Sequence, residues 1–177
     1  MHYIGIDPGK SGGIAIISED GKVKVVVMPN ASDEIDILRI QVLLAPYGLL
    51  AKSGKVKCVL EDVHSIYGST ALGNFQFGRA LGIIEAILTA NKIPFTKVAP
   101  KKWQREMWEG IKKLGEYTGK ELKNGDKQFK VDNKGMSLIA AKRLFPNVNL
   151  LASERSKKPH DGIVDALLIA GYCKRRM

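Results

Sequence analysis

The stretch HYIGIDPGKSGGIAIISEDGKVKVVVM, residues 2–28, decides the fold of this 177-residue chain. It contains three apolar runs of strand length, His2–Asp7, Gly13–Ser18 and Lys22–Met28. The Asp20-Gly21 pair between the second and third runs is typical of a tight hairpin turn, because its glycine tolerates a positive φ. The stretch therefore predicts three consecutive antiparallel strands.

Beyond residue 28 the pattern alternates between helices and strands. Apolar spacing and capping residues predict helices over Ser32–Leu44, Thr70–Asn91, Pro100–Trp108, Gly135–Phe145 and His160–Cys173. Apolar runs predict two more strands, Val56–Glu61 and Ile93–Val98. Residues 114–133 show no clear period and predict a flexible insertion. We therefore predict one α/β domain over residues 1–177, a mixed sheet of three antiparallel strands followed by alternating helices and strands, flanked by helices.

The net charge of +10, from 28 basic and 18 acidic residues, indicates a polyanionic partner such as nucleic acid. No run approaches the roughly 20 apolar residues that span a bilayer, so we expect no membrane partner. The first strand starts at once, which predicts no signal or transit peptide. Two cysteines and three scattered histidines argue against a disulfide framework and a zinc site. We expect a cytoplasmic protein, in the host cytoplasm if it is encoded by a virus.

The turn after the first strand resembles a phosphate-binding loop but lacks its spacing. Such a loop needs a glycine five residues before Gly9, Lys10 and Ser11, where the chain has Ile4. The loop would also open a helix, whereas this turn opens a strand. Its glycines are suited to positive φ values or to close approach of other groups. Asp7 is the acid of this segment that needs an explanation, because burying an unpaired carboxylate is costly.

Further acids lie where they could share a cation with Asp7. Glu61 ends the fourth strand, and Asp62 faces the opposite side, so one of the two can reach that site. Asp161 and Asp165 are four residues apart, about 40° around the last helix, and like charges at this spacing repel. Separate surface acids and a helix cap would also give this pattern. Carboxylates from two strand ends and one helix are typical of a site for two Mg²⁺ ions, or Mn²⁺.

Three segments, IGIDPGKSGGIAI, LEDVHS and HDGIVDALLIA, resemble the acidic motifs of RuvC-type Holliday junction resolvases in the ribonuclease H-like superfamily. GNFQFGRALGIIEAIL and VAPKKWQ resemble the bacteriophage and organellar branch. The resemblance implies a homodimeric, metal-dependent endonuclease that resolves four-way DNA junctions. It would do so by paired symmetric nicks that leave 5′-phosphate and 3′-hydroxyl ends.

By the same resemblance, the catalytic and metal-binding residues are Asp7, which bridges the metals, Glu61, Asp165 and Asp161. The bacterial pattern places its last two ligands three residues apart, whereas here the spacing is four. His160 is therefore an alternative to Asp161 as the fourth residue of the site.

Basic and aromatic residues form the predicted DNA-binding set. Such groups neutralise phosphates and stack on unpaired bases. Trp103 has the helical spacing of a core residue. The predicted DNA-binding residues are Lys10, Phe75, Phe77, Arg79, Lys101, Lys102 and Arg105.

Three other functions remain open from the sequence. A YqgF-like ribonuclease acting on structured RNA would share the fold and the chemistry. A sugar-kinase-like ATP-binding domain would use the glycine turn for phosphates, but 177 residues are too few for its usual two lobes. A catalytically silent DNA-binding module would be expected to lack one of the acids, and each acid is present.

Overall fold

A mixed β-sheet with helices on both faces forms the centre of the computed structural model, which describes residues 1–32, 34–62, 70–121 and 125–177. The strands are β1 (His2–Asp7), β2 (Gly13–Ser18), β3 (Val23–Val27), β4 (Asn30–Ala31), β5 (Glu34–Ile35), β6 (Val56–Glu61), β7 (Phe95–Val98), β8 (Gly115–Glu121) and β9 (Lys127–Val131). The helices are α1 (Ile37–Ala51), α2 (Ala71–Ala90), α3 (Pro100–Met107), α4 (Asn133–Leu144) and α5 (Asp161–Arg176).

The central sheet has five strands in the order β3-β2-β1-β6-β7. The first three are antiparallel neighbours, while β6 pairs parallel to β1 and β7 pairs parallel to β6. Gly21 has a φ of 86° and its N–H donates to the Ser18 carbonyl, so the predicted tight turn is present. The predicted fold class is confirmed, and the glycine turn opens β2 rather than a helix.

Two hydrophobic clusters lie on opposite faces of the sheet. One packs α3, α4 and α5 against the strands, and the other packs α1 and α2. Trp103 of α3 is 0% exposed, so its predicted place in the core is confirmed. Helix α5 is buried along most of its length and crosses β1 and β2.

Backbone contacts made through glycine fix α5 against the sheet. A Cβ atom at Gly5 would lie 2.1 Å from the Ala170 nitrogen, and one at Gly13 would lie 2.6 Å from the Gly162 carbonyl oxygen. These separations are far too short for a side chain. Gly13 has no positive φ, so it is needed for close approach and not for an unusual backbone conformation.

The predicted start of the first helix is wrong. Ser32 has a φ of 55° and lies between the short paired strands β4 and β5. The helix begins later, with Asp36 as its N-cap, whose side chain accepts a hydrogen bond from the Arg39 N–H at 3.0 Å. It then runs past the predicted end to Ala51 with Pro46 inside it.

The segment predicted as an insertion contains an antiparallel pair, β8 and β9. Every residue of β8 is exposed, so the alternation of apolar and polar residues that marks a half-buried strand is missing. Tyr117 and Phe129 contact each other edge to face, with ring centroids 5.2 Å apart. The flexibility of this segment stays a prediction. Across the described ranges, no helix is long and apolar enough to cross a membrane.

Candidate active site

Three carboxylates come together at one edge of the central sheet. Asp7 ends β1 and Glu61 ends β6, and these strands are parallel neighbours with Ile6 opposite Leu60. Because the carboxyl ends of parallel strands meet at one edge, the two acids are neighbours. The contact between Gly13 and Gly162 holds the start of α5, and with it Asp165, beside this edge. The rest of the second acidic motif falls in residues 63–69, outside the described residues.

Glu61 is buried, Asp7 and Asp165 are largely buried, and the three carboxylates are close enough to repel one another. Burial, followed by the charges of Glu61 and Asp165, raises the pKa of Asp7 well above its usual value. Burial raises the pKa of Glu61 to about 7, and that of Asp165 to about 6. Three acids that share one poorly solvated region favour either protonation or a bound cation.

Trp103 orients Glu61. Its indole Nε1–H donates to Glu61 Oε1 at 2.9 Å, and this bond opposes the rise in the pKa of Glu61. Glu61 is itself only 8% exposed. Helical spacing predicts that Trp103 is buried, but it carries no information on where the indole N–H points.

Asp161 lies at the rim of the site and not among the three largely buried acids. Its side chain is 53% exposed and forms an ion pair with Lys134, near the start of α4. Lys134 was not among the predicted site residues, and its pKa is raised chiefly by this pairing with Asp161, with a smaller contribution from Asp165. His160 caps α5, since its Nδ1 accepts from the Ile163 N–H at 3.4 Å.

The donor set fits a divalent cation. Asp165 Oδ1 is buried and has no hydrogen-bond partner among the described residues. Burial also raises the pKa values of the other two acids, Asp7 and Glu61. Carboxylate oxygens are the ligands that Mg²⁺ and Mn²⁺ prefer. Within the described ranges, no three His, Cys, Asp or Glu side chains are arranged to hold one metal ion. The acids are therefore coupled electrostatically without converging on one point.

The predicted DNA-binding residues fall into two groups. Lys10, Phe77 and Arg79 line a groove of about 410 Å³ between the glycine turn and α2, and Phe75 is exposed on the same helix. Arg79 forms a two-bonded ion pair with Glu34 across this groove, so part of its charge is already compensated. The second group lies on α3 and consists of Lys101, Lys102 and Arg105, all exposed.

Comparison with solved structures shows which known fold this chain shares. No family model matches the chain, and no curated protein matches it. RuvC of T. thermophilus in complex with a Holliday junction substrate aligns with 18% identity and a TM-score of 0.53, over 100% of this chain and 96% of that one. A second structure of Thermus thermophilus RuvC aligns with 15% identity and a TM-score of 0.50, over 99% and 96% of the two chains.

The yeast mitochondrial Holliday junction resolvase Ydc2 aligns with 18% identity and a TM-score of 0.53, over 97% of this chain and 77% of that one. These identities are too low to transfer an activity, but the alignments extend over almost the whole chain. The protein therefore has the ribonuclease H-like fold of the RuvC-type Holliday junction resolvases, as its three acidic motifs predict.

Proposed function

We propose that residues 1–177 form one nuclease domain that resolves four-way DNA junctions by metal-dependent hydrolysis of phosphodiesters. The observation that carries this proposal is the group of largely buried acids, Asp7, Glu61 and Asp165, at the carboxyl edge of the sheet. Keeping such acids ionised in the folded protein is unfavourable unless they bind a cation. The net charge of +10 and the RuvC-like fold support nucleic acid as the substrate.

Asp7, Glu61 and Asp165 would hold two Mg²⁺ ions, with Mn²⁺ as a possible substitute and Asp7 shared between the two. Such a pair of ions activates a water for attack and stabilises the departing oxygen of the phosphodiester. Each ion would need only two of these carboxylates, since Mg²⁺ keeps several waters. Two carboxylates per ion would be enough, and this agrees with the finding that no three such side chains among the described residues are arranged to hold one ion.

Neighbouring residues would orient these acids and bind the substrate. The Trp103 N–H restrains Glu61 Oε1, and Oε2 would then serve as the ligand. Lys134 and Asp161 lie at the rim, where Lys134 would bring a positive charge to the entering DNA backbone. Lys10 and Phe77 would contact DNA from the groove beside the glycine turn. The α3 residues Lys101, Lys102 and Arg105 would bind phosphates further along the duplex arm.

We expect the protein to act as a two-fold dimer, because paired symmetric nicks in opposing strands need two active sites. The outer face of α2 is suited to this contact. Leu72 and Phe75 are largely exposed there, and a Cβ atom at Gly78 or Gly82 would meet nothing within 4 Å. These glycines lower helix propensity and have no packing role within the described part of the chain. Close approach of a second α2 helix would account for them.

Gly82→Arg should therefore abolish dimerisation without destabilising the monomer. An arginine in the contact would separate the helices, while loss of a mid-helix glycine should stabilise α2 by about 0.5–1 kcal/mol. Light scattering should show a monomer, and a junction carried on a plasmid should be nicked once instead of twice in one encounter. Ala152→Arg, which adds the same charge at an exposed position between α4 and α5, should remain dimeric. A Gly82→Arg protein that stays dimeric would contradict α2 as the interface.

The substrate is tested by comparing four-way junction, linear duplex and structured RNA, each with Mg²⁺ or with EDTA. We expect paired nicks at symmetric positions of the junction in Mg²⁺, little cutting of duplex, and none in EDTA. Preferential cutting of the RNA would instead favour a YqgF-like ribonuclease.

An enzyme that resolves DNA junctions would act in the compartment that contains its DNA, which we propose is the cytoplasm.

A further inference from the structure

Strand β3 forms an open edge of the central sheet. It pairs with β2 on one side, and no described strand pairs with its other side. Its sequence is Val-Lys-Val-Val-Val, so four of its five residues favour extended structure. An exposed edge of this kind presents hydrogen-bonding groups that another strand can use.

The register identifies those groups. The Met28 N–H donates to the Gly12 carbonyl, and the Ser18 N–H donates to the Lys22 carbonyl. In an antiparallel pair, residues whose N–H and C=O groups bond to the neighbouring strand alternate with residues whose N–H and C=O groups point away from it. Residues 22 and 28 bond to the β2 side, so the even-numbered residues between them do so as well. The N–H and C=O groups of Val23, Val25 and Val27 therefore point outward from the sheet.

Cavities flank this edge on both faces of the sheet. On the α1 face, Val26 and Lys24 line a groove of about 560 Å³ with Val42, Leu43 and Tyr47. Val42 is 65% exposed, so α1 presents an apolar side chain to solvent in this groove. On the opposite face, a cavity of about 470 Å³ is lined by Val23 and Val25 of the strand and by residues 147–149. A strand added to β3 could place alternate side chains in the two cavities.

The charges at this edge indicate what kind of strand would bind there. Lys24 forms no ion pair with any described residue, and Arg39, already paired with Asp36, lies on the same groove. A second copy added antiparallel about Val25 would place two Lys24 side chains on one face as diagonal neighbours, roughly 7–8 Å apart. Each copy also carries a net charge of +10. An acidic segment removes both repulsions and supplies a partner for Lys24.

We propose that the outer edge of β3 is a docking site for an extended acidic segment of a partner protein. The segment adds as a sixth strand of the central sheet. Its main chain bonds to Val23, Val25 and Val27, an apolar residue enters the groove beside Val26 and Val42, and an acidic residue faces Lys24. This mode of recognition takes affinity from the main chain and specificity from alternate side chains. The site does not depend on the nuclease activity.

A synthetic peptide, acetyl-Thr-Glu-Thr-Val-Thr-Glu-Thr-amide, tests the proposal with the full-length protein. Its glutamates and valine share one face and match Lys24 and the apolar groove. Hydrogen exchange measured by NMR should slow at the outward amides of Val25 and Val27 when the peptide is added. The amides of Lys24 and Val26, which already bond to β2, should change much less.

Charge reversal provides the matched controls. The same peptide with lysines in place of its glutamates should bind about five- to tenfold more weakly. Lys24→Glu, a change at an exposed position, should reverse that preference, whereas Lys120→Glu on β8 should leave it unchanged. Equal binding of both peptides, or no protection of Val25 with the acidic peptide in large excess, would overturn the proposal. Protection of Val25 that rises with protein concentration alone would identify a second copy as the occupant and would overturn it too.

Discussion

Asp7→Asn is expected to lower the rate of junction cleavage by on the order of 10³-fold, while junction affinity in EDTA changes less than about threefold. Asparagine keeps the size of the side chain but removes the charge that both ions would share. Loss of about 4 kcal/mol of transition-state stabilisation corresponds to a factor of this size. The charges of both Glu61 and Asp165 raise the pKa of Asp7, so its carboxylate is within electrostatic reach of both.

The measurement is single-turnover cleavage of an end-labelled junction, with binding followed separately. Asp62→Asn is the matched control, because Asp62 directly follows Glu61 in the chain but its carboxylate lies 3.9 Å from Lys97. We expect that variant to keep activity within about threefold. Asp165→Asn should be nearly as inactive as Asp7→Asn, whereas Asp161→Asn should be milder because Asp161 is exposed and paired with Lys134. An active Asp7→Asn protein would contradict the assigned site.

The second large effect concerns stability in the absence of divalent cations. Between pH 5 and pH 8 in EDTA, raising the pH should destabilise the protein by roughly 3 kcal/mol. The pKa values of Glu61 and Asp165 are about 7 and about 6 in the folded protein, against 4.5 and 3.8 for unperturbed groups. The unfolded chain therefore loses its protons first, and each further rise in pH favours unfolding until the folded acids are also ionised.

Exposed acids in ion pairs change the stability of the fold at lower pH and in the opposite direction, because a rise in pH stabilises the folded state through them. The pKa of Glu34, beside Arg79, is lowered, so its contribution to stability is complete above about pH 4.5. The decline above pH 5 therefore reports the buried acids. Mg²⁺ should reverse it, because ions bind the charged carboxylates of the folded state and stabilise that state increasingly as the pH rises.

Asp165→Asn should be more stable than the original protein at pH 8 in EDTA and should gain less from Mg²⁺. The substitution removes a buried charge whose Oδ1 has no hydrogen-bond partner in the described part of the structure. Urea unfolding at pH 5, 6, 7 and 8, with EDTA or Mg²⁺, measures both effects. Stability that increases with pH in EDTA over this interval would contradict the raised pKa values.

Local sequence rules predicted the parts of the fold that depend on alternation and turns. The first three strands follow from apolar runs and an Asp-Gly turn, and two of the acids were recognisable because each ends such a run. Every residue of β8 is exposed, so no burial pattern marked it as a strand. Ser32 is a common helix cap, but its positive φ turns the chain into β5.

The site itself was predictable to the level of residue type and helix face. Spacing placed Asp161 and Asp165 on one face, but it does not predict how deeply each side chain lies in the fold. Asp165 is largely buried, whereas Asp161 is exposed. The indole of Trp103 and the ammonium of Lys134 reach the acids from other elements, through contacts that no sequence period encodes.

The backbone contacts of Gly5 with Ala170 and of Gly13 with Gly162 bear on how substrates are selected. At these two points no side chain separates α5 from the sheet, so neither contact can relax by repacking a side chain. The spacing between the acid on the helix and the acids on the strands is thus set by main-chain atoms. Under the proposed function, the catalytic frame is rigid and the DNA must deform to fit it. A four-way junction, already bent and partly unstacked at its centre, pays less deformation energy than a straight duplex.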